Sequence, residues 1–420
     1  MVGIERKVSA LAIAGGSKSV TIPTPAWPIA GDLEVTWMEG VLRSGQWSWQ
    51  GVHERAFCAE FAGFLGAKYC ALLANGTVTL QCALQAVGVV PGDEVIVPGL
   101  TWVATMQAAL DIGANVVLVD IDPETYCIDP QAIERAITPK TKAIIPVHLY
   151  GCMCDMDALQ DIARRHGLKI VEDVAHQHGS RWRNRAAGAI GDAGSFSFQQ
   201  SKVLTSGEGG AVTCQDEEVY NTVYALKQVG WAPDGTPGNH YGHNYRITEM
   251  QAVLLRGGLR RLPDHLRIRE ENAALISEGL VRIGGPLRAA RRDPRVTCQS
   301  YYAMTLHYDS AQAGGLERGQ YLAALSAEGF SLGTPYPAVY HHQLLNLYDA
   351  TSPVPFRDPA VIQNYAELKL PVTERVVNEE GVVLMHMLLL GDRAYINQLL
   401  DAVEKVNDNL PEVQEHFALS

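Results

Sequence analysis

The chain has 420 residues, of which 47% are apolar and 19% charged, a composition typical of a globular protein rather than a disordered one. Its formal net charge is −12 and it has no run of basic residues, which argues against nucleic acid or an anionic membrane as the main partner. The length suits a large domain followed by a smaller one.

The N-terminal segment contains an apolar run of only five residues, 10–14, which is too short for a signal peptide or a membrane span. The eight cysteines are scattered along the chain, and the C-x-C pair at Cys152 and Cys154 lacks a second ligand pair. We therefore predict free thiols in a reducing cytoplasm, and no zinc site.

Apolar, strand-like runs alternate with helix-like patterns from Tyr69 to about Val212. The predicted strands are YCALLAN (69–75), EVIVPG (94–99), NVVLVDID (115–122), KAIIPVHLYG (142–151) and KIVEDVA (169–175). The predicted helices between them cover residues 77–87, 101–112, 130–137 and 155–167. This alternation predicts an α/β fold, with a mostly parallel buried sheet covered by helices on both faces. Such sheets bind ligands beyond the carboxyl ends of their strands.

The pattern turns helical from about Thr248 to Leu280, with an interruption predicted at Pro263. The segment IGGPL (283–287) is typical of a hinge, and two strand candidates follow it, YYAMTLHYD (301–309) and GFSLGTPY (329–336). A last helix is predicted over 394–407. We interpret the chain as an N-terminal arm (1–30), a large α/β domain (31–280) and a small C-terminal α+β domain (281–420).

Polar and aromatic side chains follow the first two predicted strands. Gly76 and Thr77 begin a helix, where backbone N–H groups and the Thr77 hydroxyl could hold an anion, although an ordinary capped helix start has the same pattern. Trp102 follows the second strand, where a tryptophan either stacks on a flat ligand or fills the core.

The strand KIVEDVA places Asp173 at its end, three residues before His176. A buried carboxylate needs a partner, which could be a helix N-terminus, an arginine or the protonated nitrogen of a heterocycle. His176 and His178 are two residues apart, as in some metal sites, but no further ligand cluster accompanies them, so we predict no metal.

Lys202 lies in the turn-rich passage GSFSFQQSKVLTSGEGGAV (194–212), which shows neither a helical nor a strand period. Ser197 offers a hydroxyl there, and the glycines at 207, 209 and 210 could let the backbone pass close to a flat ligand. An anion cradle, an aromatic stacker, an aspartate and a lysine together suit pyridoxal 5'-phosphate, whose phosphate, ring, ring nitrogen and aldehyde need these four partners.

These motifs resemble the DegT/DnrJ/EryC1/StrS family of PLP-dependent, fold-type I aminotransferases. The resemblance covers GDEVIVPGLTWVAT, VEDVAHQHGS, the Lys202 passage and NYRITEMQAVL, in the expected order, from about Trp27 to the C-terminus. It implies a homodimer with shared sites.

The resemblance also implies a role for each matching residue. Lys202 would be the catalytic lysine that forms a Schiff base with the cofactor aldehyde, and Asp173 would pair with the pyridine nitrogen. The remaining predicted cofactor residues are Trp102 at the ring, Gly76, Thr77 and Ser197 at the phosphate, Asn244 reaching the partner subunit's phosphate, and His176, where many members carry glutamine.

The segments DPETYCIDPQAI, TKAIIPVHLYG and QSYYAMTLHYD resemble most closely the glutamine-dependent (2-deoxy-)scyllo-inosose aminotransferases of aminoglycoside antibiotic biosynthesis. The resemblance thus implies transfer of an amino group from L-glutamine or L-glutamate to a keto-cyclitol, with pyridoxamine 5'-phosphate as the intermediate form of the cofactor. Two related alternatives are a 3-amino-5-hydroxybenzoate synthase-like enzyme and a nucleotide keto-sugar aminotransferase.

The sequence argues against two further classes of protein. A non-catalytic, PLP-binding regulatory protein would be expected to carry a DNA-binding element or a basic patch, and neither is found. A nicotinamide dehydrogenase would carry G-x-G-x-x-G after a strand, which is also not found.

The sequence contains weaker signals for the residues that bind the two substrates than for those that bind the cofactor. Arg43 is a candidate for the donor carboxylate, although a surface arginine fits its context equally well. Candidates for the acceptor pocket, each also compatible with packing or surface placement, are Trp47, Trp49, His148, Tyr150, Tyr336, His341 and His342.

Overall fold

A computed structural model describes residues 11–343, 365 and 367–418. Its strands are β1 Tyr69–Leu73, β2 Glu94–Pro98, β3 Asn115–Val119, β4 Thr141–Ile144, β5 Lys169–Asp173, β6 Arg181–Trp182, β7 Arg185–Ala186, β8 Ala193–Ser197, β9 Gly210–Cys214, β10 Leu287–Ala289, β11 Val296–Cys298, β12 Ala303–Tyr308 and β13 Gly381–Met385. Its α-helices are α1 Asp32–Ser44, α2 Val52–Leu65, α3 Gly76–Ala86, α4 Ala104–Asp111, α5 Pro130–Ala136, α6 Met156–His166, α7 Glu217–Lys227, α8 Glu249–Ile283, α9 Arg318–Ala327, α10 Pro371–Arg375, α11 Arg393–Asp408 and α12 Leu410–Ala418.

The central sheet has seven strands in the order β1-β9-β8-β5-β4-β2-β3. β9 pairs antiparallel with β1 and β8, and the other neighbours are parallel, so six strands share one direction. All residues of β2 and β9 are buried, as expected for strands whose two faces are both covered. The predicted mostly parallel, buried sheet is confirmed.

The five predicted strands and the helices between them all form, with ends that differ by up to three residues except in β4, which stops at Ile144 rather than at residue 151. Capping sets several of the helix starts. The Asn75 side chain accepts from the first N–H groups of α3, and Asp155 caps α6 in the same way. α6 ends at Gly167, whose φ of +67° a glycine adopts without strain.

The Lys202 passage is more regular than the sequence suggested. Its two ends are β8 and β9, and only the connection between them, residues 198–209, is irregular. The prediction that no strand period carries this segment was wrong, because small residues such as Gly194 and Gly210 replace the usual branched side chains. A Cβ on Gly194 would lie 2.3 Å from the Cα of Gly188, so the close packing of this strand requires glycine.

Two predictions for the second half of the chain were also wrong. The helix is not interrupted at Pro263, since α8 runs unbroken for 35 residues. GFSLGTPY forms no strand and contributes a single bridge between Gly333 and Val383, because β12 pairs instead with β13. The strand β13 was not predicted from the sequence.

Buried apolar residues form two clusters. The larger lies around the central sheet, and the smaller packs α9, α11 and α12 on the antiparallel sheet β10-β12-β13. The long helix α8 contributes Leu259 and Leu262 to the first cluster and Ala273 and Ile276 to the second. The proposed domain boundary at residue 280 stays a prediction.

No helix among the described residues is long and apolar enough to cross a bilayer.

Candidate active site

A cavity of about 590 Å³ lies where several parallel strands of the central sheet end. It is lined by residues that follow β1, β2, β5 and β8, and by two tyrosines from the second half of the chain. The polar and aromatic lining residues are Asn75, Thr77, Thr101, Trp102, Thr105, Asp173, His176, Ser195, Ser197, Gln199, Ser201, Lys202, Glu208, Tyr302 and Tyr336. Gly76 lines it as well. The strand-end position matches the expectation for an open α/β sheet.

Lys202 reaches this cavity from the connection between β8 and β9 and is only 9% exposed. Burial lowers the pKa of its ammonium to about 8, and the charge of Asp173 opposes that shift. Its Nζ lies 4.5 Å from the centroid of the Tyr302 ring. The side chain can therefore exchange between amine and ammonium near neutral pH.

The backbone around Lys202 is held from two distant parts of the chain. Trp27 Nε1 donates to the carbonyl oxygen of Gln200 at 3.1 Å, and His386 Nε2 donates to that of Ser201 at 2.9 Å. These bonds fix the two peptides before the lysine, so the segment is positioned although it belongs to no strand or helix.

Asp173 ends β5 and faces the cavity. Its Oδ2 accepts from the Thr105 hydroxyl at 2.9 Å, and its Oδ1 accepts from the Ala175 N–H at 3.1 Å. Burial raises the pKa of this carboxyl, while the two donors and Lys202 lower it. A buried carboxylate fixed at both oxygens suits a cationic partner in the cavity.

Behind Asp173, on the other face of β5, Glu172 forms a fully buried pair with His148 at 3.0 Å. Its carboxylate also accepts from three backbone N–H groups in residues 188–191, at 2.7–3.0 Å. These donors and His148 lower the pKa of Glu172 although burial raises it. His148 does not line the cavity, so of the two roles that the sequence left open for it, packing is the one that the structure supports.

The N-terminus of α3 forms one end of the cavity. The Asn75 side chain accepts from the N–H groups of Thr77 and Val78, so it caps the helix beside the cavity. A Cβ added to Gly76 would lie 2.7 Å from the Ser197 Cβ. Only glycine at position 76 lets the helix start approach Ser197 this closely.

His176 forms a wall of the cavity together with Tyr302 and Tyr336. Its ring stacks on Tyr302 with centroids 3.9 Å apart and planes 17° apart. Its Nδ1 accepts from the Tyr150 N–H, and its Nε2 lies 3.4 Å from the Tyr336 hydroxyl. Burial lowers the pKa of His176 far below its usual value, so the imidazole is neutral.

Trp102 is 55% exposed and its indole lines the cavity, with its centroid 5.4 Å from that of Tyr336. Of the two roles that the sequence left open, core packing is excluded by this exposure. A large apolar side chain held at a cavity mouth is available for stacking.

Several candidates from the sequence lie outside the cavity. Asn244 is exposed and forms an isolated antiparallel β-bridge with Gln228. Arg43 forms an ion pair with Glu39 on the surface. Tyr150 is buried behind His176, where its hydroxyl accepts from the Tyr336 N–H. Four further candidates are absent from the described lining: Trp47, Trp49, His341 and His342.

The glycines at 207, 209 and 210 meet local backbone requirements, and their closeness to a flat ligand stays a prediction. Gly207 and Gly209 have φ values of +82° and +154°, and a Cβ on Gly210 would lie 2.6 Å from the Asn75 carbonyl oxygen. They serve a tight turn and close packing on α3, and Glu208 is the residue of this group that lines the cavity.

Sequence reasoning missed Thr105, Ser201, Glu208 and Tyr302 as site residues. The i, i+4 spacing of Thr101 and Thr105 in LTWVAT, whose hydroxyls lie 2.8 Å apart, was the available signal for the first of these. Tyr302 lies about a hundred residues from Lys202 in the chain, and no local pattern marks it.

The described residues contain no group of three His, Cys, Asp or Glu side chains that could hold a metal ion. His178, the second histidine of the predicted pair, instead donates from Nε2 to the carbonyl oxygen of Ser197 at 2.9 Å.

Comparison with known proteins places this geometry in a family. Residues 29–387 match the model of the DegT/DnrJ/EryC1/StrS aminotransferase family. A Streptoalloteichus tenebrarius protein provisionally named L-glutamine:3-amino-2,3-dideoxy-scyllo-inosose aminotransferase is 41% identical, covering 96% of this chain and 99% of its own. The L-glutamine:scyllo-inosose aminotransferase of Streptomyces griseus is 38% identical, with the same coverage.

Among solved structures, 3-amino-5-hydroxybenzoic acid synthase superposes with a TM-score of 0.80 at 33% identity, covering 91% of this chain and 98% of its own. This likeness confirms the predicted fold-type I architecture. The chain is an aminotransferase that belongs to the DegT/DnrJ/EryC1/StrS family.

Proposed function

We propose that this enzyme uses pyridoxal 5'-phosphate to transfer an amino group from L-glutamine to a keto-cyclitol, such as scyllo-inosose or 2-deoxy-scyllo-inosose, in aminoglycoside biosynthesis. The observation that carries the proposal is one cavity that holds Lys202, Asp173, Trp102 and the start of α3. The names of relatives at 37–41% identity support the donor and the acceptor class.

The residues present fit this cofactor. The helix start with Gly76, Thr77 and Ser197 offers two hydroxyls and the positive end of the α3 dipole to a phosphate, in a cradle that a Cβ at position 76 would fill. Trp102 offers a face to the ring, and Asp173 offers a fixed carboxylate to the ring nitrogen. Lys202 is the only lysine or arginine among the described lining residues.

Bound there, the cofactor would supply an aldehyde for an amine and a ring that accepts the electron pair released at the donor's α-carbon. Lys202 would form the covalent attachment and, once displaced by the donor, take the proton from the α-carbon on Nζ. Its pKa of about 8 suits this role, because both protonation states are accessible near neutral pH.

Asp173 keeps a negative charge at the buried end of the cavity. Thr105 and Ala175 supply the hydrogen bonds that hold both of its oxygens. Pairing this carboxylate with a protonated ring nitrogen would remove the desolvation cost of leaving it buried alone. The charge would thereby maintain the electron-accepting form of the ring.

The test is amino transfer by the purified protein with L-glutamine as donor. The acceptors are scyllo-inosose, 2-deoxy-scyllo-inosose and 3-amino-2,3-dideoxy-scyllo-inosose, compared with nucleotide-linked keto-sugars, and products are identified by mass spectrometry. We expect turnover with one or more keto-cyclitols. Turnover confined to nucleotide-linked sugars would refute the acceptor class and leave the cofactor assignment standing.

A second candidate activity, formation of an aminohydroxybenzoate, is suggested by the likeness to 3-amino-5-hydroxybenzoic acid synthase and by His176 at the cofactor position. The identity to that protein is 33%, compared with 41% for a relative named after a keto-cyclitol. An aromatic product in the same assay would favour it.

We also propose that the enzyme is a homodimer whose partner subunit supplies Asn244 to the cofactor phosphate, and that it works in the cytoplasm, where its eight free cysteines would stay reduced. Asn244 lies outside the cavity of its own chain and is exposed. Trp47, Trp49 and Trp231 are about half exposed, an arrangement that a subunit interface would bury.

Subunit complementation tests the shared site. Lys202→Ala and Asn244→Ala should each be inactive alone, but a mixed dimer would contain one site with both residues intact. Random exchange of equal amounts should restore roughly a quarter of the wild-type sites. No recovery, despite demonstrated exchange, would show that Asn244 acts within its own subunit or not at all.

A further inference from the structure

The Tyr302 ring lies beside the Lys202 ammonium in the cavity, and no motif pointed to it. Tyr302 immediately precedes β12 and packs in the first apolar cluster, whereas its neighbour Tyr301 packs in the second. The Tyr302 ring is 6% exposed, and its centroid lies 4.5 Å from Lys202 Nζ. That separation is within the range in which a ring face attracts a cation.

Three contacts hold Tyr302, two at its side chain and one at its backbone. One face of the ring stacks on His176 at 3.9 Å, the phenol oxygen lies 3.1 Å from the Ser201 hydroxyl, and the carbonyl oxygen accepts from the His386 N–H at 3.0 Å. Ser201 directly precedes Lys202, so the ring is tied to the same segment as the lysine. Packing alone would not require the phenol to be anchored to that segment.

The other titratable groups near Lys202 do little to stabilise the positive charge of its ammonium. Burial keeps the imidazoles of His176, His178 and His386 neutral by lowering the pKa of each. Asp173 and Glu208 are the only carboxyl groups among the described lining residues. Under the proposed function Asp173 pairs with the ring nitrogen of the cofactor, which would withdraw much of its attraction for Lys202.

We propose that Tyr302 is a positioning residue whose ring face stabilises positive charge on Lys202 Nζ, both while this nitrogen carries the cofactor and after the donor has displaced it. This inference rests on the proposed cofactor. The ring face needs no counter-charge and stays available when Asp173 is engaged. The lysine would then accept a proton from the donor without leaving the site.

The experiment is a spectrophotometric pH titration of the purified holoenzyme without substrate, following the visible band of the lysine-bound cofactor. The variants are Tyr302→Phe, which keeps the ring face, and Tyr302→Leu and Tyr302→Met, which remove it. Tyr301→Leu is the matched control, because Tyr301 is the adjacent buried tyrosine and does not line the cavity.

Loss of the ring face should lower the apparent pKa of the lysine-bound nitrogen by roughly half to one unit in both the Leu and the Met variants, as expected for a desolvated cation–π contact. The Phe variant and the Tyr301→Leu control should titrate like the wild type.

An apparent pKa equal to that of the wild type in either Tyr302→Leu or Tyr302→Met would overturn the inference. An equal shift in Tyr302→Phe would also overturn it, because the effect would then belong to the hydroxyl. Two variants that lack the ring face are used so that the test can still be made if one of them fails to fold. A wild-type protein that forms no visible band at all would refute the proposed cofactor instead, so the two failures are distinguishable.

Discussion

The Thr105 hydroxyl donates a 2.9 Å hydrogen bond to Oδ2 of Asp173, and both groups are buried at the end of the cavity. Because its one hydrogen is used there, Thr105 accepts a second hydrogen bond from the Thr101 hydroxyl at 2.8 Å. This short chain of hydroxyls orients the one carboxylate that the account assigns to the cofactor ring.

Thr105→Val should weaken cofactor binding, because valine keeps the shape of threonine but removes one of the two donors to Asp173. A hydrogen bond to a charged group is worth about 1.5–3 kcal/mol, and because this one is already present without the cofactor, only part of that energy enters binding, so the dissociation constant should rise by roughly threefold or more. Titration of cofactor-free protein with pyridoxal phosphate measures it. Thr213→Val, which removes a buried hydroxyl outside the cavity, is the control. Equal affinities in the two variants would contradict the assignment.

Gly76→Ala should lower cofactor affinity by about tenfold or more, because the new Cβ would lie 2.7 Å from the Ser197 Cβ and force the phosphate cradle apart. Gly63→Ala is the matched control, since that glycine lies in α2 with nothing within 4 Å of its Cβ position. The control should bind normally. Normal binding by Gly76→Ala would place the phosphate elsewhere.

Glu172→Gln should destabilise the protein by about 3 kcal/mol, because an amide NH₂ would face His148 and backbone donors in a fully buried site. The free energy of urea unfolding is the measurement. Glu94→Gln serves as control: its carboxylate accepts from the hydroxyls of Thr138 and Thr141, which can rotate to accept instead. If Glu172→Gln lowered the free energy of unfolding no more than Glu94→Gln does, the buried Glu172 carboxylate would not be needed for stability.

His178 should make the cofactor-free protein lose stability in mild acid. Burial lowers the pKa of its imidazole to about 3 in the folded state, below the ordinary 6.5 of the unfolded chain. The unfolded state therefore binds more protons between these values, so stability is full above pH 6.5 and falls as the pH is lowered through this window.

At pH 5 the loss from His178 should be about 2 kcal/mol relative to pH 8. Urea unfolding at the two pH values, in wild type and His178→Gln, isolates this contribution, and the exposed His240→Gln is the control. An equal pH dependence in wild type and His178→Gln would rule out the burial argument.

The sequence predicted most of the central sheet and most of the cavity, because strands and their end residues are local patterns. Asp173 follows a run of buried apolar residues, and Gly76 follows a strand and begins a helix, so their common position could be inferred without coordinates. The roles assigned to these residues at the cofactor stay predictions.

The parts that failed depend on contacts between distant segments. Pro263 was expected to break a helix, yet α8 continues through it with apolar side chains packed in both clusters. Tyr302 reaches Lys202 only because the second half of the chain folds back over the sheet, and periodicity carries no information about such a return.

The central claim, that Lys202 carries the cofactor, is tested most directly by borohydride reduction of the purified holoenzyme followed by peptide mass mapping. We expect one pyridoxyl modification, on Lys202, in the wild type, and no modification in Lys202→Ala. Stable modification of a different lysine, or an unmodified Lys202 in protein that shows the visible cofactor band, would contradict it.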